Sequence, residues 1–255
     1  MKTDSSASNL AKYIRLKSLL MVAKINSSHI GSCLSAAEII AVVHQIVQSS
    51  HDMFICSKGH AAAAFYASLS GLKIIPESML DDFGADGSEL IGHVSHKVNG
   101  ISFSTGSLGH GLPLGVGAAI ASKSKHVYVL ISDGELNEGT TWESLALASQ
   151  LRLNNITLIV DANGLQSFGK TYEVLNLEPL IDKFVSFGWS CLEVDGHSIS
   201  SLSTALEVQS DNKPKVIIAR TTKGKGIKEM ENKLEWHYKS PSKEELEIFI
   251  KEIGN

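Results

Sequence analysis

Two short apolar runs, VYVLI at 127–131 and ITLIV at 156–160, each close on a polar turn, and a helix-like stretch separates them. This alternation constrains the fold more than any other feature. The first run is β-branched and aromatic and the second is rich in β-branched residues, the pattern of strands buried on both faces. CLEV at 191–194 is a weaker third run and VIIA at 216–219 a fourth. Earlier, MFIC at 53–56 leads through Ser57-Lys-Gly-His60 into an alanine-rich segment and reads as strand, glycine turn, helix. Helical spacing marks 141–151, about 177–187 and 200–209 between the strands, and 10–25 and 36–47 before them, with a polar loop at 26–32. Strands alternating with helices predict an α/β fold, a doubly wound, mostly parallel sheet with helices on both faces. No repeat, low-complexity tract or linker interrupts the chain, so 1–255 reads as a single domain.

Composition excludes several classes. With 43% hydrophobic and 20% charged residues the chain can bury an ordinary core. A formal net charge of -4 gives no basic footprint for nucleic acid. The cysteines Cys33, Cys56 and Cys191 are odd in number and lack CxxC spacing, as free thiols in a reducing compartment do. The start, MKTDSSASNLAKYIRLK, has no signal-peptide core, and the apolar runs are too short to cross a bilayer. A cytoplasmic protein with no membrane partner is expected.

Ligands of open α/β sheets gather at the carboxyl ends of strands. Asp133-Gly134 follows the 127–131 strand and Asn163-Gly164 the 156–160 strand, with thirty positions between Asp133 and Asn163. If the two strands are neighbours, a carboxylate and an amide oxygen share one rim. That oxygen-only set suits Mg2+ or Ca2+, with water or phosphate completing the shell. Gly134 would let a phosphate approach the backbone closely. Asp-Gly and Asn-Gly are also common turn pairs, so spacing alone leaves both readings open.

The stretch SDGELNEGTTWE, followed by VDANGLQSFGKT, resembles the thiamine diphosphate motif in the form found in the amino-terminal half of transketolases. SSHIGSCLSAAEI, CSKGHAAAAFYASL, IGHVSHKVNGISFSTGSLGHGLPLGVGAA and ARTTKGKGIKEMENKLEWH resemble further segments of that family in the same order, over nearly the whole chain. The resemblance implies Mg2+ held by Asp133, Asn163 and the carbonyl of Leu165, with the diphosphate also meeting His60, Gly134 and Lys223. Ser32 matches a cofactor contact, and Gly106, Ser107 and Leu108 match the loop under the thiazolium and aminopyrimidine rings. His29, His93 and His237 match histidines that line the channel to the reacting carbon and assist proton transfer; His237 also approaches the diphosphate. Imidazoles suit that task, because they exchange protons near neutral pH. Glu138 and Glu143 match glutamates found at the family's subunit interface. His197, in DGHS, reads as a turn residue.

The sequence departs from the family pattern at Ser132 (usually glycine), Ser28 (glycine), Val94 (proline) and His110 (glutamine). These changes bear on the sugar substrate more than on the cofactor. Full transketolases also carry a pyrimidine-binding domain, whose glutamate activates the cofactor, and a third domain. Their absence from these residues implies a split enzyme. A C-terminal transketolase-like subunit would complete it, as a heterotetramer of two chains of each kind. The expected activity is transfer of a two-carbon ketol unit between sugars or sugar phosphates. The alternatives are another thiamine diphosphate enzyme, of the 2-oxoacid dehydrogenase or 1-deoxyxylulose-phosphate synthase type, and a non-catalytic regulatory subunit.

Overall fold

The computed structural model describes residues 2–50 and 52–254. Helices α1 (Lys2–Lys24), α2 (Ile30–Ser35) and α3 (Ala37–Ser50) precede strand β1 (Met53–Cys56), which turns into α4 (Ala62–Gly71). Next come α5 (Gly111–Ala121), β2 (Val127–Ser132), α6 (Gly139–Gln150) and β3 (Ile156–Ala162). A small antiparallel hairpin, β4 (Leu165–Gln166) and β5 (Gly169–Lys170), leads to α7 (Thr171–Leu175) and α8 (Leu180–Ser186). The chain ends β6 (Ser190–Asp195), α9 (Ile199–Glu207), β7 (Lys215–Arg220) and α10 (Lys243–Gly254). The main sheet has five strands in the order β1-β2-β3-β7-β6, and every pairing in it is parallel.

The unbroken apolar character of the strands follows from double-sided burial. On β2, Tyr128 and Leu130 join the core under α1, α3 and α4, while Val127, Val129 and Ile131 join the core under α5, α6 and α8. β3 divides in the same way, with Ile159 facing one core and Leu158 and Val160 the other. No helix among the described residues is long and apolar enough to cross a membrane.

The four expected central strands are all present, each extended by a residue or two. The helices differ more. α1 begins at Lys2, because Asp4 suits its first turn and Ala7 packs into the core ahead of the apolar repeat. The loop expected at 26–32 ends early, and Ser32 lies on the short helix α2. α8 begins only at Leu180, after Pro179. α5 had no expectation attached, since its glycines and proline mask it. Pro113 falls in its first turn, where no backbone bond is lost. Gly115 faces β2 so closely that a Cβ there would sit 2.5 Å from Val129 Cγ2.

Candidate active site

β2 and β3 are hydrogen-bonded neighbours, and Ser132 pairs with Asp161 in register. Asp133 and Asn163 therefore leave the sheet side by side. Asp133 Oδ1 accepts the N–H of Gly134 at 2.9 Å, and Oδ2 accepts the N–H of Gly164 at 2.6 Å. Asn163 Oδ1 accepts from Leu165 N at 3.1 Å. Gly164 takes a left-handed backbone, φ 77°, which turns the chain into the β4–β5 hairpin and carries Leu165 back to the rim. The carbonyl of Leu165 accepts from Lys223 Nζ at 3.4 Å.

These groups border a cavity of about 200 Å³, whose wall includes His29, Ser32, His60, His93, Gly106, Leu108, Asp133, Gly134, Asn163, Leu165, Lys223 and His237. Of the cavity residues expected from sequence, Ser107 alone stands outside the wall; it is exposed between two lining residues. Glu138 and Glu143 are exposed and do not border the cavity. Two glycines keep the space open: a Cβ on Gly134 would lie 2.9 Å from Gln166 Cβ, and one on Gly106 would lie 3.1 Å from His93 Cδ2. A wider groove of about 770 Å³ beside α1 and the end of α4 gathers only Lys73 and Glu77 as charged residues, and offers no comparable chemistry.

The histidines cluster around His29. Its ring centroid lies 4.9 Å from His237, 5.4 Å from His60 and 5.9 Å from His93. His29 adopts a left-handed backbone at the start of α2, φ 75°, and its N–H donates to the His237 carbonyl at 2.9 Å. Burial, reinforced by His93 and by Lys223 and Lys58, lowers the His29 pKa to about 4. Burial and Lys223 lower His237 to about 3, and burial with Lys58 holds His60 well below the ordinary value. These three imidazoles are neutral at neutral pH. Lys223 Nζ donates to His237 Nδ1 at 3.1 Å, which leaves the His237 proton on Nε2.

The acid and the lysine are tuned in opposite senses. Burial, with Asp161 behind it, raises Asp133 to about 6. Burial and the neighbouring Lys58 charge lower Lys223 to about 8. Each group is short of a counter-charge, and a bound cation and anion would supply both.

Some site residues were not anticipated. Lys58 borders the cavity and forms a fully buried ion pair with Asp161. Ser35 Oγ donates to Asp161 Oδ2 at 2.6 Å, Thr221 Oγ1 donates to Oδ1, and Lys58 Nζ also donates to Ser32 O at 3.1 Å. The signal was present, since Asp161 is an acid in line with a run of buried strand residues. Glu135 is fully buried and accepts from Ser57 Oγ and from Gly109 N at 2.8 Å, bracing the glycine loop. Gln166 lines the cavity, and its buried Nε2 has no partner.

The departures from the family pattern fit locally. Ser132 closes β2 in extended conformation, so its position needs no glycine. Ser28 Oγ hydrogen-bonds His29 Nδ1 at 3.0 Å. Val94 N donates to Gly59 O at 3.2 Å, a bond proline lacks. His110 is exposed, with Nδ1 3.1 Å from Leu108 O.

Comparison with known proteins identifies the family. The family model described as "Transketolase, thiamine diphosphate binding domain" matches residues 6–254. The chain is 40% identical to one subunit of the apulose-4-phosphate transketolase of Actinobacillus succinogenes, covering 95% of this chain and 94% of that protein. It is 35% identical to the subunit of the same name from Phocaeicola vulgatus, covering 92% and 89%. Among solved structures, transketolase from Campylobacter jejuni superposes with a TM-score of 0.87 at 29% identity. That match takes in 100% of this chain and 43% of the Campylobacter chain, so this chain spans about two fifths of that enzyme. From the parallel sheet, the motif at its rim and these similarities together, the chain belongs to the transketolase family and carries its thiamine diphosphate-binding domain.

Proposed function

We propose that this chain is the diphosphate-binding subunit of a two-component transketolase, which moves a two-carbon ketol unit from a ketose or its phosphate to an aldose. The observation that carries the reading is the convergence of Asp133, Asn163 and the Leu165 carbonyl with Lys223 and a group of neutral histidines in one cavity. The chemistry of the donor set fits Mg2+ and a diphosphate: oxygen donors only, one carboxylate, and a buried ammonium beside them. The partnerless Nε2 of Gln166 offers one more donor to a bound group.

Thiamine diphosphate, when bound, supplies the carbanion-stabilising centre that carbon–carbon cleavage needs. In this reading Asp133, Asn163 and Leu165 hold Mg2+. Lys223, His60 and Gly134 meet the diphosphate, while Ser32, Gly106, Ser107 and Leu108 contact the rest of the cofactor. His29, His93 and His237 present imidazoles to sugar hydroxyls. The rings of His29 and His237 are neutral, and a neutral ring can take a proton from a hydroxyl and return it.

Both apulose-4-phosphate transketolase relatives are named as one subunit of their enzyme, which supports a companion chain here, and their length matches this one. We assign the companion the pyrimidine-binding domain, with the whole present chain acting as one domain in a cytoplasmic heterotetramer of two chains of each kind. The similarities lie with transketolases, which does not favour the other thiamine diphosphate chemistries or a purely regulatory role. The test is calorimetric titration of the chain, mixed with its candidate companion, with thiamine diphosphate in the presence and absence of Mg2+. Metal-dependent binding is expected; binding indifferent to Mg2+ counts against the metal site.

A further inference from the structure

His197 is more than a turn residue. Its Nε2 accepts the backbone N–H of Thr222 at 2.8 Å, and its Nδ1 lies 3.0 Å from Glu38 Oε2. The first contact requires a bare Nε2, so Nδ1 carries the proton and donates it to Glu38. Glu38 is buried, and Arg15 grips it with two bonds, Nη1 to Oε1 and Nη2 to Oε2, each 2.6 Å. Burial by itself would raise the Glu38 pKa; the bonds from His197 and Arg15 overcome it and keep the carboxyl below its ordinary value. Arg15 also donates from Nε to Lys225 O at 3.0 Å. The chain Arg15–Glu38–His197 therefore holds the loop after β7 at two points, Thr222 and Lys225. Lys223 lies between them, with its ammonium in the cavity. None of Arg15, Glu38 or His197 borders that cavity.

We propose that His197 is a positioning residue, which sets the height of Lys223 over the diphosphate site through the Thr222 N–H. Glu38 and Arg15 fix the histidine tautomer that makes this bond. The inference rests on the reading of Lys223 as a diphosphate ligand. It goes beyond that reading by assigning a remote buried triad to cofactor affinity.

The test uses the full-length chain and its companion, with thiamine diphosphate and Mg2+ as probes, alongside amide hydrogen exchange on the chain without cofactor. His197→Phe removes both ring contacts. Exchange at 222–226 should then rise about three- to tenfold, and thiamine diphosphate affinity should fall by a similar factor, the scale of one lost hydrogen bond. His197→Gln, whose amide oxygen takes the place of Nε2, should restore both readouts. His197→Asn, which reaches only the Glu38 side, should restore neither. In a Lys223→Met background His197→Phe should cost no further affinity, because its effect runs through that lysine. Losses that add in the double variant, unchanged exchange at 222–226, or a rise spread evenly over the chain would each overturn the inference. If the unaltered chain fails to bind thiamine diphosphate at all, the functional reading falls, while the exchange data still decide whether His197 holds the loop.

Discussion

Asp133 bridges two strand ends: its Oδ2 accepts the N–H of Gly164 at 2.6 Å, clamping the turn after β2 to the turn after β3. Its other oxygen takes the N–H of Gly134 at 2.9 Å. Each oxygen is thus aimed by the backbone and keeps lone-pair capacity for a cation.

The first prediction concerns that cation. Asp133→Ala removes the single charged ligand of the proposed set and should abolish Mg2+-dependent retention of thiamine diphosphate. Asn163→Ala, which removes a neutral ligand, should weaken it less. The Asp133 pKa of about 6 adds a pH signature. Protons compete with the metal as pH falls through that value, so retention should weaken between pH 7 and pH 5. Calorimetry across that range checks both points, and unchanged affinity in Asp133→Ala removes the metal from this rim.

A second prediction separates binding from chemistry. His29→Ala should lower turnover by roughly a hundredfold, the scale of losing a positioned acid or base, with little change in cofactor affinity. His237→Ala should affect both, because His237 Nδ1 is the hydrogen-bond partner of Lys223 Nζ at 3.1 Å. Steady-state kinetics on the assembled enzyme, with cofactor titrations in parallel, distinguish the two.

Much of this geometry was legible in the chain. The strands at 127–131 and 156–160 declared themselves because burial on both faces demands unbroken β-branched runs, and Asp133 and Asn163 then had to share a rim once the strands paired. The Lys58–Asp161 pair was hidden, because its partners lie 103 positions apart and meet only when β1 and β3 flank β2. The role of His197 was hidden for the same reason: a DGHS turn reads locally, whereas Glu38 and Thr222 come from distant elements. Helix α5 was masked by its glycines and proline; the close approach of Gly115 to β2 and of Gly111 to Ser57 is visible only in three dimensions.

Stability offers a third prediction. Lys58 and Asp161 are wholly enclosed, so truncating one strands the other's charge. Lys58→Met should cost about 3–5 kcal/mol, the usual penalty for breaking a buried pair. Chemical denaturation should show a lower midpoint with an unchanged slope. A loss under about 1 kcal/mol, the range of exposed pairs, would show that water reaches Asp161.

Acid should weaken the cofactor-free chain. Burial lowers the pKa of His29 and His126 to about 4 and of His44 and His237 to about 3. A histidine depressed in the folded state favours unfolding as pH drops below about 6.5, and the stability it contributes is lost progressively toward its folded value. Asp133, raised to about 6, acts in the opposite sense as pH falls from 6 toward 4, and burial raises Glu135 in the same direction, but these two carboxyls stand against five depressed histidines, His60 included. The melting temperature should be lower at pH 5 than at pH 7. A flat or rising profile would contradict neutral burial of these rings.

The most direct measurement is ketol transfer itself. The purified chain, given thiamine diphosphate, Mg2+ and a ketose phosphate donor with an aldose acceptor, is assayed alone and with a transketolase-type chain carrying the pyrimidine-binding domain. A split enzyme predicts silence from the chain alone and transfer on addition of the companion, lost again with Asp133→Ala. Robust transfer by the lone chain would contradict it, because the activating glutamate would then have to lie within these 255 residues.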